Sequence, residues 1–219
     1  MVGYLTKSLS HVKLGFMHIA TKFTFCRIFS APVFFILYFL PVWLPNFSFL
    51  RPISVFILIP LLIFAELTDY FDGKYARMHN QVSDFGKVFD PFADVFLNIT
   101  VFFCLVLSGY MPGFILLFII YRELSMTFIR LVGIQEGVAI GARKGGKTKT
   151  VFYIISCFAA LAVECALRLG IFEETSLPVK AGKAVCLALF FICLAISYIS
   201  FADYLIVFGK ILVKRNKIK

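Results

Sequence analysis

Apolar runs of membrane-crossing length alternate with short polar breaks through most of the chain. They fall at residues 23–44, 53–67, 84–110, 114–134, 151–169 and 184–212. About twenty apolar residues carry a helix across a bilayer, and a helix satisfies its own backbone hydrogen bonds there. The run at 53–67 completes the second span as a polar stretch begins at Asp69. The pattern predicts an all-α integral membrane fold with six transmembrane helices over residues 20–213. Residues 1–19 follow a different rule. Leu5, Leu9, Val12, Phe16 and Ile19 recur at helical spacing beside Lys7 and Lys13, which predicts an N-terminal interfacial amphipathic helix. A surface helix packed on the bundle would show the same pattern. Residues 214–219 form a basic tail.

Composition supports one membrane domain. The chain has 219 residues, 61 % of them hydrophobic, with a mean hydropathy of +0.93, well above a soluble domain. Lys and Arg total 22 against 12 Asp and Glu, a net charge of +10. The basic residues cluster in the N-terminal segment, around Lys74, Arg77 and Lys87, in the Gly-rich loop 135–149 and in the tail. The breaks near Asn46, Tyr110 and Gly170 carry few or balanced charges. The positive-inside rule then places both termini in the cytoplasm of a multi-pass protein of the cytoplasmic (inner) membrane. No soluble basic domain exists to carry nucleic acid. The six cysteines fall mostly inside apolar runs without a CxxC pair and read as small packing residues. Glu164 and Asp203, lone acids near span ends, are expected to be solvated or snorkelling.

The chemistry concentrates between Asp69 and Asp94. Asp69 and Asp72 stand at i,i+3, and Asp90 and Asp94 at i,i+4, so each pair shares a helix face. Packed as a hairpin, the two helices would bring four carboxylates together, where unpaired charges would repel and protonate. A pair of divalent cations holds such a cluster ionised, and hard oxygen donors suit Mg2+ or Mn2+. Two metals held this way form a clamp for a pyrophosphate, and a lipid diphosphate fits a cluster at the cytoplasmic end of the spans. An acid not committed to metal can take a proton from an acceptor hydroxyl. Arg122, Arg130, Lys147 and Lys149 would make a basic wall for an anionic acceptor if they turn inward. Arg122 and Glu123 are adjacent and are not expected to face each other. Thr21, Thr24 and Arg27 form a polar stripe at the start of the first span.

The stretch Asp69-x-x-Asp72-Gly73-x-x-Ala76-Arg77, eight further residues, then Gly86-x-x-x-Asp90-x-x-x-Asp94 resembles the full signature of the CDP-alcohol phosphotransferases. All eight signature positions match in residue and spacing, and the resemblance covers the six-span layout. It implies that Asp69, Asp72, Asp90 and Asp94 hold two Mg2+ or Mn2+ ions and that Asp94 is also the general base. It implies a site for the nucleotide lipid at Gly73, Ala76, Arg77, Gly86 and Thr24, the small residues admitting cytidine and Arg77 contacting phosphate. The implied reaction is attack on the lipid-side phosphorus of CDP-diacylglycerol with loss of CMP, in a homodimer.

Within the family, Asp90-Pro91-Phe92-Ala93-Asp94, the Arg122-Glu123 pair with Arg130, and Gly146-Lys147-Thr148-Lys149-Thr150 are similar to the branch whose acceptor is glycerol 3-phosphate. The resemblance assigns that phosphate to Arg122, Arg130, Lys147 and Lys149. Three positions depart from the branch. Ala20 stands where a proline is usual, Val95 where a lysine is common, and Glu66 adds an acid one turn before Asp69. Other acceptors within the family are an inositol phosphate, serine, choline or phosphatidylglycerol. A membrane prenyltransferase would carry two distant acidic motifs rather than one block, and a cation transporter would show a repeat that this chain lacks.

Overall fold

The computed structural model describes the backbone of residues 19–78, 84–135 and 144–216, and side chains within 24–68, 89–133 and 145–209 except Lys147. Six helices occur among the described residues: α1 Ile19–Trp43, α2 Leu50–Met78, α3 Asp84–Leu107, α4 Gly113–Gln135, α5 Lys144–Arg168 and α6 Leu177–Asn216. No strand occurs among them. Five of the helices, all but α4, contain a stretch long and apolar enough to cross a membrane. The exception has 23 residues and carries Arg122, Glu123 and Arg130 in its sequence. The described residues form an all-helical fold, and the chain is a multi-pass membrane protein. Of the expected interfacial helix over 1–19 only Ile19 is described, and it begins α1; residues 1–18, the turn with His79 and Asn80, and the glycines at 137 and 141 lie outside the described residues.

Outward faces confirm the solvent. Phe56, Phe128 and Ile199 are 73 %, 67 % and 71 % exposed, a pattern that lipid accepts and water does not. Inward, Phe34, Leu58, Leu97, Phe102, Ile115 and Phe190 join one core shared by all the helices. Five of the six cysteines are buried, in the packing role expected of them.

Several boundaries move. The third span ends at Leu107 rather than 110, because Gly109 turns the chain at φ +76°. Its N–H reaches the Val106 carbonyl and that of Tyr110 the Leu105 carbonyl, the paired cap that a left-handed glycine permits. Gly170, at φ +69°, ends α5 in the same way. The loop expected at 135–149 gives way to helix from Lys144, and the loop expected at 170–180 gives way from Leu177. The last helix therefore has 40 residues, about 60 Å at the usual rise and about twice the hydrocarbon thickness.

Helix α1 packs against both α2 and α3, and α5 packs along α6. Helix α4 contacts α3 and α6, and α2 touches α5. The hairpin considered from the sequence is thus not the main contact among the described residues: α2 and α3 each lean chiefly on α1. Gly145 lets α5 approach α6 closely, since a Cβ there would stand 3.0 Å from Ser200 Oγ.

The end of the bundle away from Asp94 is closed by Arg168. Its Nε donates to Glu164 at 2.9 Å, Nη1 to Ser54 Oγ at 2.8 Å and Nη2 to the Tyr38 carbonyl at 3.0 Å. Its guanidinium lies 4.4 Å from the Tyr38 ring centroid, and the Tyr110 hydroxyl donates to Glu164 at 2.9 Å. Glu164 is therefore not a solvated end residue. The ion pair and phenol make its burial tolerable. Asp203 is exposed on α6.

Candidate active site

Helix α3 presents Asp90, Asp94 and Asn98 at successive i,i+4 positions. The helix runs unbroken through Pro91, whose missing N–H withdraws one backbone bond beside Asp90. Asp90 is fixed from α1, where the buried Thr24 hydroxyl donates to its Oδ1 at 2.6 Å. Arg27, one turn further along α1, is 1 % exposed. Thr24 and Arg27 of the polar stripe thus face inward, Thr24 against an acid of the signature, while the side chain of Thr21 lies outside the described residues.

Asp94 is held within its own helix. The Asn98 side-chain amide donates to Asp94 Oδ1 at 3.1 Å and to the Asp94 carbonyl at 2.9 Å. Asn98 carries no signal in the signature, and only the fold shows what it touches.

Across from Asp94, α4 and α5 build a buried charge cluster. Glu123 is its centre: Oε2 accepts Arg122 Nη1 at 2.9 Å, and Oε1 accepts Lys149 Nζ at 2.7 Å. The Tyr153 hydroxyl adds a third contact to Oε1 at 3.2 Å and pairs with Ser197 on α6 at 3.0 Å. Arg122 Nε donates to the Ser197 carbonyl at 3.2 Å. Arg122 and Glu123 do meet, against the expectation from their adjacency. Both side chains are long enough to bend towards the same inter-helix space, and three other polar partners wait there. The role of Glu123 is not legible in the sequence, because its main partners, Lys149 and Tyr153, come from another helix.

Between Asp94 and this cluster lies a cavity of about 160 Å³, lined in part by Asp94, Arg122, Glu123, Arg130, Lys149 and Tyr204. Val95 lines it as well, so the departure from a lysine falls on the cavity wall. Its far side is α6, where Tyr204 and Phe208 pack with Met126 of α4 in a second small core. Three cations against the carboxylates of Glu123 and Asp94 leave the cavity lining net positive. Among the described residues no carboxylate pairs with Arg130, whereas Arg122 and Lys149 share Glu123.

Asp69, Asp72, Gly73, Ala76 and Arg77 lie on α2 and Gly86 in the first turn of α3, but their side-chain environment, like that of Lys147, is outside the described residues. Glu66 sits on the same helix, near enough to Cys157 for its charge to act there. Among the described residues no group of three or more His, Cys, Asp or Glu side chains converges. The donor chemistry of the four aspartates, all hard oxygen, nevertheless fits a magnesium- or manganese-like ion.

Comparison with known proteins bears on the same residues. The family model of the CDP-alcohol phosphatidyltransferases matches residues 17–213, from before α1 to the last turn of α6. A Treponema pallidum protein named CDP-diacylglycerol–glycerol-3-phosphate 3-phosphatidyltransferase is 41 % identical over 142 residues, 63 % of this chain and 65 % of that protein. A Bacillus subtilis protein of the same name is 34 % identical over 182 residues, 80 % of this chain and 89 % of that protein. A Mycoplasma pneumoniae protein, also of that name, is 36 % identical over 119 residues, 52 % of each chain. With the signature matched in spacing, two of its acids anchored from α1 and α3, and the family match running through every described helix, the chain belongs to the CDP-alcohol phosphatidyltransferase family of membrane enzymes.

Proposed function

We propose that the protein transfers the phosphatidyl group of CDP-diacylglycerol to glycerol 3-phosphate, giving phosphatidylglycerophosphate and CMP. The observation that carries the choice of acceptor is the positive surplus of the cavity, whose three cations outnumber the carboxylates of Glu123 and Asp94. A phosphomonoester carries about −1.5 to −2 charge near neutral pH, and a neutral alcohol would leave that surplus unmatched. The names of the Treponema, Bacillus and Mycoplasma relatives support the same reaction.

In this reading Asp69, Asp72, Asp90 and Asp94 hold two divalent cations, Mg2+ or Mn2+, which supply electrophilic activation of the pyrophosphate oxygens. Thr24 keeps Asp90 oriented through its hydroxyl. Gly73, Ala76, Arg77 and Gly86 receive the nucleotide lipid. Arg130, with Arg122, Lys149 and Lys147, binds the acceptor phosphate, and Glu123 holds two of those cations in place. Asp94 removes the proton from the acceptor hydroxyl as its oxygen attacks the lipid-side phosphorus. The new oxygen–phosphorus bond forms as the bond to CMP breaks. CMP departs with the electron pair, and the proton stays on Asp94 until solvent takes it.

In this reading the chain has six spans with both termini cytoplasmic and the site at the cytoplasmic face of the inner membrane, which the distribution of basic residues supports. There the lipid donor's tails remain in the bilayer and its head meets a soluble acceptor. The enzyme works as a homodimer. The test is CMP release from CDP-diacylglycerol by purified protein, with Mg2+ or Mn2+ present or chelated and glycerol 3-phosphate present or absent. Release that requires both metal and glycerol 3-phosphate, with phosphatidylglycerophosphate as product, is the expected result. Metal-dependent release with inositol phosphate, serine, choline or phosphatidylglycerol instead would keep the family and reject the acceptor.

A further inference from the structure

Asn98 is a costly residue in its position. It is 6 % exposed within a membrane helix, where Leu97, Val101 and Phe102 around it are buried and apolar, and an amide placed there requires partners. Its partners are both on Asp94, the carbonyl at 2.9 Å and carboxylate Oδ1 at 3.1 Å. Each is an acceptor, so only the NH2 end of the amide can face them. The bond to the carbonyl adds little to the helix, since that oxygen also lies in the ordinary i to i−4 ladder. The bond to Oδ1 does something an apolar side chain could not. It restrains rotation of the Asp94 carboxylate and thereby sets the direction of the second oxygen. Asn98 and Asp94 also line one narrow recess with Glu123, Lys149 and Tyr153, so the restrained carboxylate faces the charge cluster.

We propose that Asn98 is a positioning residue: it orients the Asp94 carboxylate for proton removal and metal binding at the floor of the acceptor cavity. The inference rests on the role given to Asp94 in the proposed reaction. An amide suits the task because it donates without carrying charge. A second aspartate there would repel Asp94, and a lysine would compete for it as a full charge.

The test compares Asn98→Leu, Asn98→Gln and Asp94→Asn in the full-length purified protein. Turnover, both KM values, Mn2+ binding to substrate-free protein and Tm are measured for each. Partners of metal ligands are typically worth about 10- to 100-fold in metal affinity or activity. Asn98→Leu is expected to lower kcat by about 10-fold or more and to weaken Mn2+ binding, with both KM values within about twofold and Tm unchanged. Asn98→Gln, which keeps a donor on a longer arm, is expected to recover part of both losses. A leucine variant that binds Mn2+ and turns over like the parent overturns the proposal, as does one whose kcat falls only in step with Tm. If leucine fails to fold, the glutamine variant decides: parent-like turnover supports the donor role, and loss of turnover with intact Mn2+ binding and Tm overturns it. Asp94→Asn separates the two levels of the argument. If that variant keeps full turnover, the role of Asp94 fails; if it is inactive while Asn98→Leu is not, only the role of Asn98 fails.

Discussion

Lys149 Nζ donates to Glu123 Oε1 at 2.7 Å, with both side chains under a tenth exposed. The pair ties the first turns of α5 to the middle of α4 and sets how many positive charges the cavity offers. Glu123 also holds Arg122. Glu123→Gln would leave two buried cations sharing one neutral amide. Removing one partner of a buried pair typically costs about 3–5 kcal/mol. The expected outcome is a clear fall in Tm, followed in detergent by circular dichroism. Glu123→Ala should fall at least as far.

Among the described residues Arg130 is the cavity cation without a carboxylate partner, its contact being the Tyr204 hydroxyl. Arg130→Ala is expected to raise the acceptor KM by about 10-fold or more, the scale of a lost charge-assisted hydrogen bond, and to leave the KM for CDP-diacylglycerol within about twofold. Steady-state kinetics with each substrate varied in turn makes the comparison. Equal loss for both substrates would assign Arg130 to the lipid phosphate or to the fold.

The Thr24–Asp90 bond joins α1 to the acidic helix at 2.6 Å. Thr24→Val keeps the shape and removes the donor. The expected result is a higher Mg2+ or Mn2+ concentration for half-maximal turnover, by about 10-fold, with helicity retained. Metal titrations of parent and variant read this directly, and an unchanged half-activation point would confine Thr24 to packing.

Asp94→Asn is expected to abolish CMP release without unfolding the protein. The amide can neither accept the acceptor proton nor bind a cation as a carboxylate does. Radiolabelled CDP-diacylglycerol gives the sensitivity needed, and size-exclusion chromatography checks the fold. Full activity in this variant would remove Asp94 from the base role.

Arg168 offers a control at the other end of the bundle. Its bonds reach Glu164, Ser54 and Tyr38, and none of these lines the cavity beside Asp94. Arg168→Ala is expected to lower Tm by stranding Glu164 while both KM values hold. A change in acceptor KM without a change in Tm would mean that the two ends of the bundle are coupled.

Much of this protein is determined locally. Runs of about twenty apolar residues commit the chain to membrane helices, since no other open segment satisfies its backbone in lipid. The spacing of Asp69, Asp72, Asp90 and Asp94 is likewise local, because two residues three or four apart share a face wherever the helix packs. Helix ends were less legible. The turn at Gly109 and the early start of α5 at Lys144 depend on glycine conformation and inter-helix contact, not on hydropathy. Tertiary structure alone decided which side chains meet across helices. It placed Thr24 on Asp90, gathered Arg122, Lys149 and Tyr153 around Glu123, and brought Tyr204 from the second half of a 40-residue helix to the cavity wall. The reason is physical. A buried charge is tolerated only with partners, and partners 26 or 30 residues away in the chain, as Lys149 and Tyr153 are from Glu123, become neighbours only once the helices have packed.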